Sequence, residues 1–283
     1  MKQINLLKLI FVLLIVNCTF AQFTAKGYKS DEFNQFIASK TYFVLSGDKT
    51  YDEEIMNAAN RIWKITSFSS LKKEELDSKI TDKSASFVLL TTIPGKNMGQ
   101  NYHYLSLING GKKSISKYGY GDLIAYCPLN FYINEYNLYD CSYRISNMLE
   151  SMVISIETVQ KNDLNGNTYT LVKKLQEIYN KNTNDIKNRT LLICEESIGN
   201  KLKKEEIAGI YPYKFEMCNL EKLKKVIKDK DPNYYYLQPG ITMNKSIFVF
   251  DPTNGNVVYF EFAIMGLAFN KGDLKDLVKA ISN

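Results

Sequence analysis

Runs, alternations and three-four steps of apolar residues follow one another along this chain in an order that occurs twice. In the first half, Thr41 to Leu45 is a short β-type run, closed by a turn at Gly47 and Asp48. Asp52 to Trp63 sets Ile55, Ala59 and Ile62 on one helical face. Lys64 to Phe68 reads as a brief strand. Ser70 reads as the cap of a second helix from Lys72 to about Ser78, with Glu74 and Glu75 near its start. Phe87 to Thr92 is a continuous run, as in a strand buried on both faces. Tyr102 to Ile108 alternates, Asn109-Gly110 signals a tight hairpin turn, and a return strand falls near Ser114 to Tyr118.

The second half has the same order. Thr190 to Cys194 is a strand, Lys203 to Ile210 a helix and Tyr213 to Met217 a strand. Asn219 caps a helix over Leu220 to Lys228, whose apolar face is Leu220, Leu223, Val226 and Ile227. Tyr234 to Gln238 and Ser246 to Phe250 are strands, Asn254-Gly255 is the hairpin turn, and Val257 to Phe262 returns. Short stretches echo each other: "KTYFVLSGD" at 40–48 and "RTLLICEES" at 189–197 both run from a basic residue and Thr through apolar residues to a polar turn with an acid. Thr41 and Thr190 lie 149 residues apart, the two Asn-Gly turns 145.

Between the copies, Leu138, Cys141, Ile145, Met148, Met152, Ile156 and Val159 step by three and four, one stripe on a long helix. "KNDLNGN" breaks it, a second amphipathic helix carries Leu171, Val172, Leu175, Ile178 and Tyr179, and "NKNTNDIKNR" reads as an exposed linker. The expected fold is α/β: two related βαβαβ-plus-hairpin modules with mixed sheets, over residues 22–136 and 189–283, joined by a helical hairpin and linker over 137–188. The element order across 40–92 and 190–239 resembles the βαβαβ modules of periplasmic envelope proteins of the TolB N-terminal and curli-secretion-lipoprotein type. That resemblance implies a fold and carries no function with it.

The chain's 283 residues allow one large domain or two small ones, and 45% hydrophobic with 23% charged residues is ordinary for a globular protein. Residues 1–21 read as a secretory leader: Lys2 and Lys8, an apolar run from Leu9 to Val16, then Thr19 and Ala21 before the cleavage point. The expected location is exported, periplasmic or secreted. Lipid attachment at Cys18 ranks second, because Val16 and Asn17 precede it where small residues are wanted. Losing the leader removes two lysines and no acid, taking the formal charge from +6 to +4. The charges are interleaved with no basic stripe, so nucleic acid is not an expected partner, and no later segment is apolar enough to span a membrane.

Candidate chemistry is sparse. His103 is the single histidine, in a strand between Tyr102 and Tyr104, so no site can draw two histidine ligands. Asp163, Asn165 and Asn167 start like a calcium loop, but Thr168 and Lys174 stand where Gly and Glu are needed. No glycine-rich phosphate loop occurs, and no cofactor is expected. Asp48, Asp52 and Glu53, or Glu195 and Glu196, offer paired carboxylates for a hydrolase without histidine, though first-turn acids ordinarily serve helix starts.

Cys194 and Cys218 fall at the ends of the second copy's first two strands, where a disulfide or simple apolar packing both fit. The segment 118–139 is rich in Tyr, Asn and Gly, and Tyr118, Tyr120, Tyr126 and Tyr132 are candidate contact residues, the alternative being that they cover the sheet. The expected function is a non-catalytic exported module that binds a protein, peptide or glycan, with the carboxylate hydrolase as the competing class.

Overall fold

The computed structural model describes residues 23–94, 101–128, 138–199, 201–241, 245–263 and 269–283. Residues 1–22, with Cys18 and the segment expected to be a leader, and Tyr132 lie outside the described residues. The chain is an α/β protein with two mixed sheets of matching parallel and antiparallel pattern. The first holds β1 (Phe23–Thr24), β2 (Lys40–Leu45), β3 (Phe68–Lys72), β4 (Ala85–Pro94), β5 (Asn101–Asn109) and β6 (Leu123–Pro128), in the order β1-β6-β5-β4-β2-β3. The second holds β7 (Thr190–Cys194), β8 (Phe215–Cys218), β9 (Tyr234–Ile241), β10 (Lys245–Phe250) and β11 (Val257–Ala263), in the order β11-β10-β9-β7-β8. In each, the first two strands and the third are parallel, and the last two add antiparallel. Among the described residues, only the two-residue β1 lacks a counterpart.

The helices are α1 (Asp31–Ile37), α2 (Lys49–Ile62), α3 (Leu76–Lys79), α4 (Ile145–Lys161), α5 (Thr168–Tyr179), α6 (Lys204–Ala208), α7 (Leu220–Lys228) and α8 (Lys271–Ser282). Local chemistry explains their starts. Asp48 caps α2 by accepting from Tyr51 N–H at 2.9 Å, Asn167 caps α5, and Asn219 caps α7 by accepting from Lys222 N–H at 3.0 Å. Sequence patterning misses three elements: β1, α1 and the C-terminal α8.

Helices α2, α4, α5 and α7 lie between the sheets. On the first sheet, Phe43 packs edge-on against Trp63 at the end of α2, and Cys127 Sγ reaches Met148 O of α4 at 3.4 Å. Thr24 meets Ser155 of α4. On the second sheet, Tyr236 Oη donates to Asn147 of α4 at 2.5 Å, and Leu223, Val226 and Ile227 of α7 join the same buried cluster as Leu192, Phe248 and Phe260. Ile207 of α6 and Leu274, Leu277 and Ile281 of α8 instead cover the second sheet's outer face, over Leu191, Ile193, Leu237, Ile247 and Val249. α4 is therefore buried almost all round, a condition its single apolar stripe does not announce.

Several expected elements are relocated. The strand placed at Ser114 to Tyr118 is instead β6, and residues 110–122 form a connection with two 3-10 turns, Ile115–Lys117 and Tyr120–Asp122. Gly110 does not make a tight hairpin; it comes so close to the Asp82 carbonyl that a Cβ would lie 2.0 Å from the oxygen. Gly255 behaves as expected, with φ +74 between β10 and β11. The strand read at Lys64 to Phe68 is shifted on to Phe68–Lys72. The expected exposed linker is a 3-10 segment, Asn180–Asn188, with Thr183 and Ile186 buried.

Candidate functional site

The sheet edges are the first candidate. At the β6 edge, β1 pairs antiparallel, Phe23 with Tyr126 and Thr24 with Ala125. At the equivalent β11 edge no strand is added among the described residues, and side chains take its place. Asn180 Nδ2 donates to Phe260 O at 2.9 Å, its Oδ1 accepts from Phe260 N–H at 2.8 Å, and Thr183 Oγ1 donates to Val258 O at 2.9 Å. A single amide side chain thus satisfies both backbone groups of Phe260, as a neighbouring strand would. The opposite edges differ: β3 and β8 each pair on one side only among the described residues. Ser70 and Lys72 of β3 are exposed, while Phe215, Glu216 and Met217 of β8 are half-buried.

The second candidate lies at the carboxyl end of β8. Cys194 pairs in register with Cys218, and both side chains turn to the inter-sheet layer. Cys194 Sγ donates to Glu196 Oε2 at 3.2 Å, and Glu196 Oε1 accepts from Leu220 N–H at 3.2 Å, at the start of α7. Burial presses the Glu196 carboxyl upward, but its hydrogen bonds from backbone N–H groups and Cys194 outweigh that and hold it below the usual range. Beside it, Glu216 pairs with Lys222 and accepts from Tyr234 Oη at 3.2 Å.

The third cluster was not read from the sequence. Glu150 Oε1 accepts from Arg61 of α2 at 2.8 Å and from Lys230 Nζ at 2.7 Å, and Lys230 also donates to Thr253 O. Asn147 donates to Asp251 O and Pro252 O at 3.3 Å. One turn of α4 thereby ties α2 to the β10–β11 turn. The missed signal is weak: Asn147, Glu150 and Ser151 lie off the apolar stripe, where polar residues normally face water.

The residues singled out in advance fall as follows. Tyr126 is core, 2% exposed and edge-on to Tyr104. Tyr118 is half-buried; its hydroxyl donates to Asn109 O at 2.7 Å and Lys112 Nζ sits over its ring, so it fastens the 110–122 connection. Tyr120 opens the second 3-10 turn of that connection. Of these tyrosines, the side chain of Tyr120 and all of Tyr132 lie outside the described residues. His103 pairs with Thr92 in the β4–β5 ladder. Asp48 caps α2, and Asp52 accepts from Ser46 N–H, Ser46 Oγ and Gly47 N–H, so both acids serve the turn before α2. Glu53 is exposed beside Lys49, and Glu195 is exposed beyond β7.

No helix among the described residues is long and apolar enough to cross a membrane. Searches against family models, curated proteins and solved structures find no match for this chain.

Proposed function

We propose that the protein is an exported, non-catalytic interaction module that takes an extended peptide segment of a partner protein onto its open sheet edges. The observation that carries this reading is the asymmetry of the edges. Both sheets close one side, with β1 or with Asn180 and Thr183, and both leave the equivalent parallel strand, β3 or β8, paired on one side only among the described residues. Unpaired strand edges are templates for strand addition, and proteins ordinarily blunt them. Export is supported by the basic start, apolar run and Thr19-x-Ala21 pattern of residues 1–21.

Panning a random-peptide display library on the mature chain tests the edge. Enriched peptides should alternate apolar residues, and their binding should fall at least tenfold on Ser70→Pro or Met217→Pro, since proline deletes a ladder donor. Peptide binding indifferent to both substitutions overturns the edge reading. N-terminal sequencing of protein from the native host should begin at Gln22, and an intact Met1 would overturn export.

A further inference from the structure

Cys194 and Cys218 are the last residues of neighbouring parallel strands and are direct register partners. Adjacent strands run ~4.8 Å apart, inside the Cα separation of ~4.4–6.8 Å that a disulfide requires. Both side chains enter the same buried cluster, Cys194 fully covered and Cys218 6% exposed, so their Cβ atoms leave one face of the sheet. Cys218 is the largest influence on Cys194, holding the Cys194 thiol below the ordinary range. The same pairing, together with burial, pushes the Cys218 thiol up. The thiol that ionises more readily and the one that ionises less readily are thus set side by side.

We propose that Cys194 and Cys218 form a redox site, a dithiol that closes to an intramolecular disulfide and ties the edge strand β8 to β7. This inference does not rest on the interaction reading. The oxidant is a donor disulfide of the glutathione class. Cys194 gives up its proton and attacks one donor sulfur; a Cys194–donor bond forms, the donor S–S bond breaks, and one donor thiolate leaves and takes up that proton. Cys218 then gives up its proton and attacks Cys194 Sγ. The Cys194–Cys218 bond forms and the second donor thiolate leaves, taking that proton. The two cysteines lose two electrons and the donor disulfide gains them. Access comes by opening the end of β8, which is held by a strand on one side only among the described residues.

Cys141 is the natural rival, because it lies with Cys194 beside the Tyr143 hydroxyl. The decisive test uses the wild-type full chain and oxidised glutathione as the probe. After incubation, remaining thiols are alkylated in denaturant and the chain is digested with trypsin without reduction. Residues 190–201 and 215–222 are separate tryptic peptides, carrying Cys194 and Cys218 respectively. The expected product is these two peptides joined, lighter by two hydrogens than their sum, in the majority of chains. Its melting temperature should exceed that of the dithiol form, and Cys218→Ala should abolish the difference. Complete alkylation of both cysteines at every donor concentration overturns the proposal, and so does a dominant linkage through Cys141.

Discussion

The two modules have sheets of the same strand pattern but turn opposite faces of that pattern toward the common helical layer. In the first, the β2–β3 crossover helix α2 lies inside, against α4, while the β3–β4 crossover helix α3 lies outside, where Lys79 Nζ sits over Tyr42. In the second, the equivalent of α2 is α6, which is outside, and the equivalent of α3 is α7, which is inside. Helix length follows the face and not the position in the repeat. The inner helices α2 and α7 span 14 and 9 residues, and the outer α3 and α6 only 4 and 5. A crossover helix that packs on a second layer as well as its own sheet has apolar surface to bury along two sides, and a longer helix buries more.

The cores differ in kind as well. Behind β2 the first module carries a chain of buried hydroxyls: Trp63 Nε1 donates to Thr66, Thr66 bonds Thr41, Thr41 bonds Ser86, and Ser39 joins Ser86 to Phe36 O. The second module fills its inner face with stacked rings, Tyr236 on Phe250 and Phe248 on Phe260.

The strongest way to break this comparison is to ask whether the modules unfold together. Trp63, 1% exposed, sits in a buried cluster that reaches across the helices to Phe248 and Phe260. Trp63→Ala should cost ~3–5 kcal/mol and move one cooperative transition, seen identically by tyrosine fluorescence and far-UV circular dichroism. Two separated transitions would show the modules to be independent. Next is Gly255, whose Cβ would lie 2.6 Å from Asn147 O and from Glu150 Cβ, at φ +74. Gly255→Ala should cost ~2–4 kcal/mol in urea melts, from crowding plus left-handed strain.

Glu150→Ala comes third. Removing one partner of a buried pair costs ~3–5 kcal/mol, but Arg61 and Lys230 are 46% and 34% exposed, so ~1–3 kcal/mol is expected. A double-mutant cycle with Lys230→Met should then show coupling, and additive losses would remove Glu150 as a tie between modules.

The smallest effect separates the modules by pH. Burial lifts the Glu261 carboxyl on the outer second sheet, so its contribution is complete below the unfolded carboxylate range and is lost as pH rises through the folded value. Glu32 of α1, held low by its bond from Lys26, has the opposite sign: its contribution is present above the ordinary range and lost as pH falls. Glu261→Gln should therefore flatten the stability decline between about pH 4 and 7, where carboxyl groups titrate. An unchanged slope would assign it elsewhere.

The second module was nearly legible residue by residue: β7 and α7 run over their expected residues, and Asn254-Gly255 forms its turn. The first was less so. Asn109-Gly110 carries the same letters, but Gly110 is selected there by close approach to Asp82 O, and composition does not distinguish the two uses. The echo that sets Thr41 beside Thr190 matches residues facing the shared layer, and the inversion makes those opposite faces of the repeated sheet. A period of two reports which side is buried and is silent on which crossover covers it. The dithiol was visible because strand ends and parallel order sufficed to place it. The Glu150 cluster was not, since it joins segments 80 to 104 residues apart that only the assembled layers bring together.

Thr24 meets Ser155 131 residues along the chain, and Asn147 reaches Asp251 104 residues further on. The inter-sheet layer is thus closed by both ends of the chain at once, which sets the order of assembly. While the chain emerges from its N-terminus, α4 has one sheet to lie on and shows its other side, Asn147 and Glu150 included, to solvent until β9 to β11 arrive. Such long closures cost only ~0.6 kcal/mol per doubling of loop length but slow the search for the native pairing. A nascent chain stopped before residue 234 would keep that half-covered helix waiting, the stage at which a folding helper has a surface to hold.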